Sequence, residues 1–241
     1  MYKKISHNIV EEHFDHPACL PNGMLSDASR KLVEAELVPG QLPPAVMNET
    51  TMRFRMDSRT AWAKWVWSLL NYSISLTGGL AGTAQVKGRM HKNAVALGDF
   101  LIPYYGLTAA RAVVTALIAI DDIGMHYVEA VQAKKSAAEL VTIAQQWEPY
   151  IVNIAKLFNE LNPANWPEKK IYDLFAGIVK GWQDQLTARA NGDLIADEIA
   201  IDYMNKLVVT GVPDHINNGF DSLADAFSRG IVAQFPSMFV A

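Results

Sequence analysis

Trp62, Trp65, Leu69, Tyr72 and Leu76 recur at intervals of three, four, three and four, so on a helix they form one apolar stripe. A stripe of that width has to be covered by other elements. The spacing therefore predicts a core helix from Asp57 onward, ended by Gly78-Gly79. Helical periodicity continues down the chain, and no convincing strand alternation competes with it.

A second helix is expected from about Thr83 to Leu101, stopped by Pro103, with Tyr104-Tyr105-Gly106 as the turn; a third follows from Thr108 to about Lys134. Ser136-Ala-Ala-Glu139 fits the capping box, in which hydroxyl and carboxylate each satisfy a free backbone N–H. The stripe Leu140, Ala144, Trp147, Ile151, Ile154, Phe158, Leu161 follows it as the fourth helix. Asn162-Pro-Ala-Asn-Trp-Pro167 reads as a loop, and Pro167 suits the first position of a fifth helix reaching about Ala190. Asn191-Gly192-Asp193 closes that helix and caps a sixth, from Leu194 to about Thr210, which Gly211-Val-Pro213 breaks. Asp214 is then expected to cap a final helix carrying Ile216, Phe220, Leu223, Phe227 and Ile231.

The beginning of the chain differs. Pro17, Pro21, Pro39, Pro43 and Pro44 interrupt any long helix and leave room for two short ones, near residues 3–14 and 27–37. The reading is an N-terminal arm, residues 1–56, lying on a helical-bundle domain, residues 57–241. With half of its 241 residues apolar, the chain can bury a sizeable core. The expected fold is all-α: an up-and-down bundle of about six main helices with a proline-rich arm.

Charge narrows the function. A net charge of -4, with no Lys/Arg run interleaved with aromatics, argues against nucleic acid as a partner. Trp65 through Val86 carries no charge over 22 positions, about the span of a bilayer. Yet Ser68, Asn71, Ser73, Ser75 and Thr77 interrupt it and Gly78-Gly79 breaks it, so a buried helix and turn are expected rather than a membrane span. The sequons at Asn48 and Asn71 carry no weight without secretion. One cysteine, Cys19, forms no internal disulfide, and the first sixteen residues lack the apolar core of a signal peptide. A cytoplasmic location is the expectation.

Two groups could hold a divalent metal such as zinc, iron or manganese. His7, Glu11, His13 and His16 crowd into the arm, where His7/Glu11 and Glu12/His16 have i, i+4 spacing. The competing reading is a solvated helix ending at Pro17, and the order is not that of a helical zinc protease. Asp121, Asp122 and His126 form the second group, with Glu129 beside them. Asp121 falls in the apolar stripe of Val114, Ile118, Met125 and Val128, and a carboxylate there must be paired, protonated or metal-bound. Asp99 is a similar oddity on the second helix. A di-iron centre is disfavoured, because His126-Tyr-Val-Glu129 reverses the required Glu-x-x-His order. The remaining readings of Asp121 are a structural hydrogen bond or a pocket for a small ligand.

Nucleophilic and phosphate chemistry gain no support. No Gly-x-Ser-x-Gly elbow exists, Cys19 and His16 are close only in sequence, and Gly78-Gly79-Leu-Ala-Gly82 lacks the lysine of a phosphate loop. His91 and His215 suit surface or capping roles, and the six tryptophans suit a core.

Ser222-Leu-Ala-Asp-Ala-Phe-Ser-Arg-Gly-Ile-Val-Ala-Gln-Phe-Pro236 with Met238-Phe239, the Asn162–Pro167 loop, the Ile102–Gly106 turn and the Trp-rich stretch at 62–67 together resemble an uncharacterised group of bacterial helical proteins, many of them exported. The resemblance covers roughly residues 60–239 and implies the bundle without supplying an activity. The group's pattern has histidines on its first, third and fifth helices, implying a polar or metal-binding centre. Those positions hold Trp65, Ile120 or Asp121, and Gly177 here, which puts such a centre in doubt, while Asn93 and Gly98 are retained. The expected function is non-catalytic assembly or binding, as a homo-oligomer or part of a larger particle. The alternative is a metal-binding protein or metal-dependent enzyme using either group above.

Overall fold

The computed structural model describes residues 48–214 and 219–240, with side chains placed for 48–211 and 222–240. The arm's two expected helices, and with them His7, Glu11, His13, His16 and Cys19, lie outside the described residues, as does His215.

The first helix, α1 (Glu49–Thr77), begins well ahead of Asp57. Asn48 caps it by accepting from the Thr51 N–H at 3.0 Å, and the Asn48 amide also donates to the Phe239 carbonyl, tying the helix start to the far end of the chain. The early turns carry no apolar stripe because the positions they bury are Thr51 and Ser58. Helix α2 (Thr83–Asp99) follows the Gly78-Gly79 turn, where Gly79 takes φ 60. The charge-free run is therefore divided between two helices, and among the described residues no helix is long and apolar enough to cross a membrane.

Helix α3 (Ile102–Gln132) is interrupted at Gly106, whose φ of 77 and ψ of 172 lie in a region only glycine enters readily. The expected turn is present, preceded by one helical turn that starts with Pro103 in place. The expected fourth helix is two: α4 (Ala137–Ala144) and α5 (Glu148–Leu161), joined by a 3-10 turn, Gln145–Trp147. Pro149 accounts for the break, since it has no N–H for the carbonyl a turn before it. The capping box of Ser136 and Glu139 forms as expected, and Trp147, Ile151, Ile154 and Phe158 stay on the buried side.

Helices α6 (Glu168–Ala190) and α7 (Leu194–Asn205) come next, and α7 runs into a π-helical turn, Lys206–Thr210, that Gly211 ends at φ 85. The expectation that Asp214 caps the final helix is not met. Asp214 belongs to a short strand, β1 (Val212–Asp214), antiparallel to β2 (Gly219–Asp221), with Asp214 opposite Gly219. Ser222 caps the last helix instead, α8 (Leu223–Gln234), by accepting from the Asp225 N–H at 3.1 Å. A 3-10 turn, Pro236–Phe239, follows.

The molecule is an all-α helical bundle. Sequence neighbours pack on one another, α1 on α2, α2 on α3, α5 on α6 and α6 on α7, while α8 returns to α1 and α5 packs on α3. An aromatic core holds them together: the Trp62 ring contacts Trp65, Phe158, Phe175 and Phe227 edge-on or tilted. Trp147, Trp166 and Trp182 each donate to a backbone carbonyl of another element, those of Ile120, Ala226 and Val66. Five of the six tryptophans are buried, and only Trp67 reaches the surface.

Candidate functional site

Asp121, Asp122 and His126 do not form one site. Asp121 points into the core and is fully buried, whereas Asp122 faces outward and meets the His91 ring nitrogen at 2.9 Å. His126 is exposed and lines a shallow groove of about 490 Å³ with Glu129, Lys135 and Glu139. The reason is helical geometry: adjacent residues project about 100° apart, so Asp121 and Asp122 are on different faces of α3. Among the described residues, no three His, Cys, Asp or Glu side chains are grouped so as to hold a metal ion. Asp99 ends α2 in a half-buried position.

The outward groups belong to a polar seam across three helices. Glu129 on α3 accepts from the Tyr72 hydroxyl of α1 at 2.7 Å and from Lys87 of α2 at 3.4 Å. The Tyr72 hydrogen bond is the main influence holding the Glu129 carboxyl below its usual range; burial opposes it and Lys87 assists. Conversely, burial and then the Glu129 charge push the Tyr72 hydroxyl up. Tyr72 and Lys87 are partnered with Glu129, and His91 with Asp122, so these contacts join α1, α2 and α3.

Asp121 is different. Neither carboxylate oxygen has a hydrogen-bond partner, and the buried indole nitrogens of Trp62 and Trp65 lack partners as well. Burial holds the Asp121 carboxyl well above the usual carboxylate range; the nearby Trp65 N–H acts the other way without completing a hydrogen bond of ordinary geometry, and the Asp122 charge raises it further. The Trp65 indole therefore faces the Asp121 carboxyl inside the core. The pair sets a carboxyl whose ionisation burial disfavours against an indole N–H, which donates and does not ligate a cation.

Two other buried carboxylates, Asp197 and Asp225, are both paired. Asp197 on α7 accepts from Gln185 at 2.8 Å and Arg189 at 2.6 Å, both on α6. Asp225 on α8 accepts from Arg55 at 3.2 Å and Arg59 at 2.9 Å, both on α1. The i, i+4 spacing of the two arginines was a readable signal; their partner, far along the chain, was not.

Among the described residues, helix α7 carries a row of exposed apolar side chains. Its inner side, Ala200 and Met204, packs against the bundle, but Ile195, Ile199 and Tyr203 are 73 %, 65 % and 42 % exposed, and Leu194 at the helix start is 71 % exposed. Ile195, Ile199 and Tyr203 stand four residues apart and make one stripe. Beside it, between α6 and α7, a groove of about 770 Å³ carries Lys180 and Asp184, which pair with each other at 2.6 Å.

Comparison with family models, with curated proteins and with solved structures finds no match to this chain.

Proposed function

We propose that this is a non-catalytic helical-bundle protein that works by assembly, with the outer face of α7 as the contact between copies. The observation that carries the reading is the exposed stripe Ile195, Ile199 and Tyr203 with Leu194 at its end. Scattered apolar side chains are normal on a surface; a continuous row of large ones along one helix marks an interaction site. Covering such side chains contributes about 1.5–3 kcal/mol each. A second copy suits the face because Glu198 and Asp202 precede Lys206 along the same exposed side. An antiparallel two-fold then sets acids of one copy towards the base of the other. The single cysteine fits a reducing, cytoplasmic setting.

Size-exclusion chromatography with light scattering on the full chain tests this. A dimer or larger particle is expected, and Ile195→Glu with Ile199→Glu returns it to a monomer with unchanged helical circular dichroism. A strict monomer with no co-purifying partner overturns the reading.

A further inference from the structure

We propose that the groove between α1 and α2 binds a small organic anion with an aromatic or aliphatic body. The groove encloses about 750 Å³, within the range of small-molecule sites. Two contacts set the register of its walls. The Asn93 amide donates to the Lys64 carbonyl at 2.9 Å, and the Ser75 and Thr83 hydroxyls meet at 2.9 Å nearer the turn. In this antiparallel register Arg89 of α2 stands opposite Ser68 and Leu69 of α1, about one turn from Lys64, roughly 6 Å along the axis. Both cations therefore border the same stretch of groove.

Charge sets this groove apart from the other two. Among the described residues, Lys64 and Arg89 are the only ionisable side chains lining it, no carboxylate does, and neither makes an ion pair. In the α6/α7 groove the lysine is already neutralised by Asp184, and in the groove beside His126 Lys135 is held by Glu139 at 2.9 Å. Two cations with no carboxylate beside them among the described residues form a local positive field that favours a carboxylate, sulfonate or phosphate. The guanidinium offers a forked donor for such a group and the ammonium a point charge.

The rest of the groove supplies the body's contacts. Trp67, the one tryptophan outside the core, lies in its wall with Ile74 and Val86 towards the turn, while Asn71 adds an amide. A planar apolar body laid on the indole and extended towards Ile74 keeps its acidic group between Lys64 and Arg89. Inorganic phosphate, with no body to place, is expected to bind much more weakly.

Titration calorimetry with 1-naphthoate, 1-naphthyl phosphate, 1-naphthalenemethanol and inorganic phosphate tests the assignment on the full chain. The two aromatic anions are expected to bind at least about tenfold more tightly than the alcohol or inorganic phosphate, a difference of about 1.4 kcal/mol. Lys64→Glu with Arg89→Glu removes that preference, and Trp67→Ala weakens both anions; unchanged melting of each variant separates loss of binding from loss of fold. The Ile195→Glu, Ile199→Glu variant retains binding, because that surface is elsewhere. Equal affinity for acid and alcohol overturns the proposal. So does indifference to the Lys64/Arg89 change, loss of binding in the α7 variant, or no saturable binding up to about 5 mM.

Discussion

The Arg59 guanidinium meets the buried Asp225 carboxylate at 2.9 Å and so joins α1 to α8 across 166 positions of sequence. Arg55, one turn earlier, holds the other oxygen of the same carboxylate at 3.2 Å. Breaking a fully buried pair costs about 3–5 kcal/mol, but Arg59 keeps access to water, so part of its charge is solvated when the partner is lost. Asp225→Asn is therefore expected to lower unfolding stability by about 2–3 kcal/mol, and Arg59→Ala by about 1 kcal/mol because Arg55 remains. Urea denaturation followed by circular dichroism measures both. Equal losses for the two variants would show that Arg55 contributes nothing.

Asp121 makes stability depend on pH in the direction opposite to that of an ion-paired aspartate. Unfolded, its carboxyl ionises near about 3.9; folded, burial keeps the proton on to much higher pH. Between those limits the folded state holds a proton that the unfolded state has released, so stability falls as pH rises. Relative to Asp121→Asn, which has no such titration, the natural protein is expected to lose up to about 1.4 kcal/mol per pH unit above pH about 4 until the folded pKa is reached. Denaturation midpoints of both proteins across that range give the difference directly. A constant gap would mean that Asp121 ionises as readily inside the bundle as outside it.

Elements that bury large apolar groups could be read directly from the chain, as with the Trp62 to Leu76 stripe and the row from Leu140 to Phe158. The start of α1 could not, because its first buried positions are Thr51 and Ser58, which leave no hydropathy signal, and the Asn48 cap stands in a polar stretch. The β1/β2 pair was missed for a related reason: Phe220 and Leu223 have helical spacing with Phe227, while Ser222 and Asp225 were the better sign of where the helix begins. Asp121 is recognisable as a carboxylate on an apolar stripe, with Asp122 and His126 on the neighbouring face, but nothing within that segment reveals that the group facing it is the Trp65 indole. The exposed stripe of α7 is not legible in the sequence, because Ile195 and Ile199 have the hydropathy of core residues and only packing shows which side of the helix is covered. The paired cations of the α1/α2 groove depend on interhelical register, which no single segment encodes.

The loop Asn162–Pro167 grips α8 at its smallest residues, and Gly230 is the point where that grip fails first. The Asn162 amide donates to the Gly230 carbonyl at 2.8 Å, the Trp166 indole donates to the Ala226 carbonyl at 2.8 Å, and the Trp166 ring stacks on Phe227 at 5.7 Å. A Cβ on Gly230 would collide with the Trp166 indole nitrogen and the adjoining ring carbons, so the indole has to move and its hydrogen bond with it. Trp166 is fully buried and cannot swing into solvent. Gly230→Ala is expected to cost about 1–3 kcal/mol, the range for overpacking a tight core. Trp166→Phe removes the indole nitrogen that the methyl meets, so in that background the cost of Gly230→Ala should shrink by at least about 0.5 kcal/mol. Denaturation of the two single variants and the double variant measures this coupling. The same cost in both backgrounds would place the penalty in helix α8 itself and not at the indole.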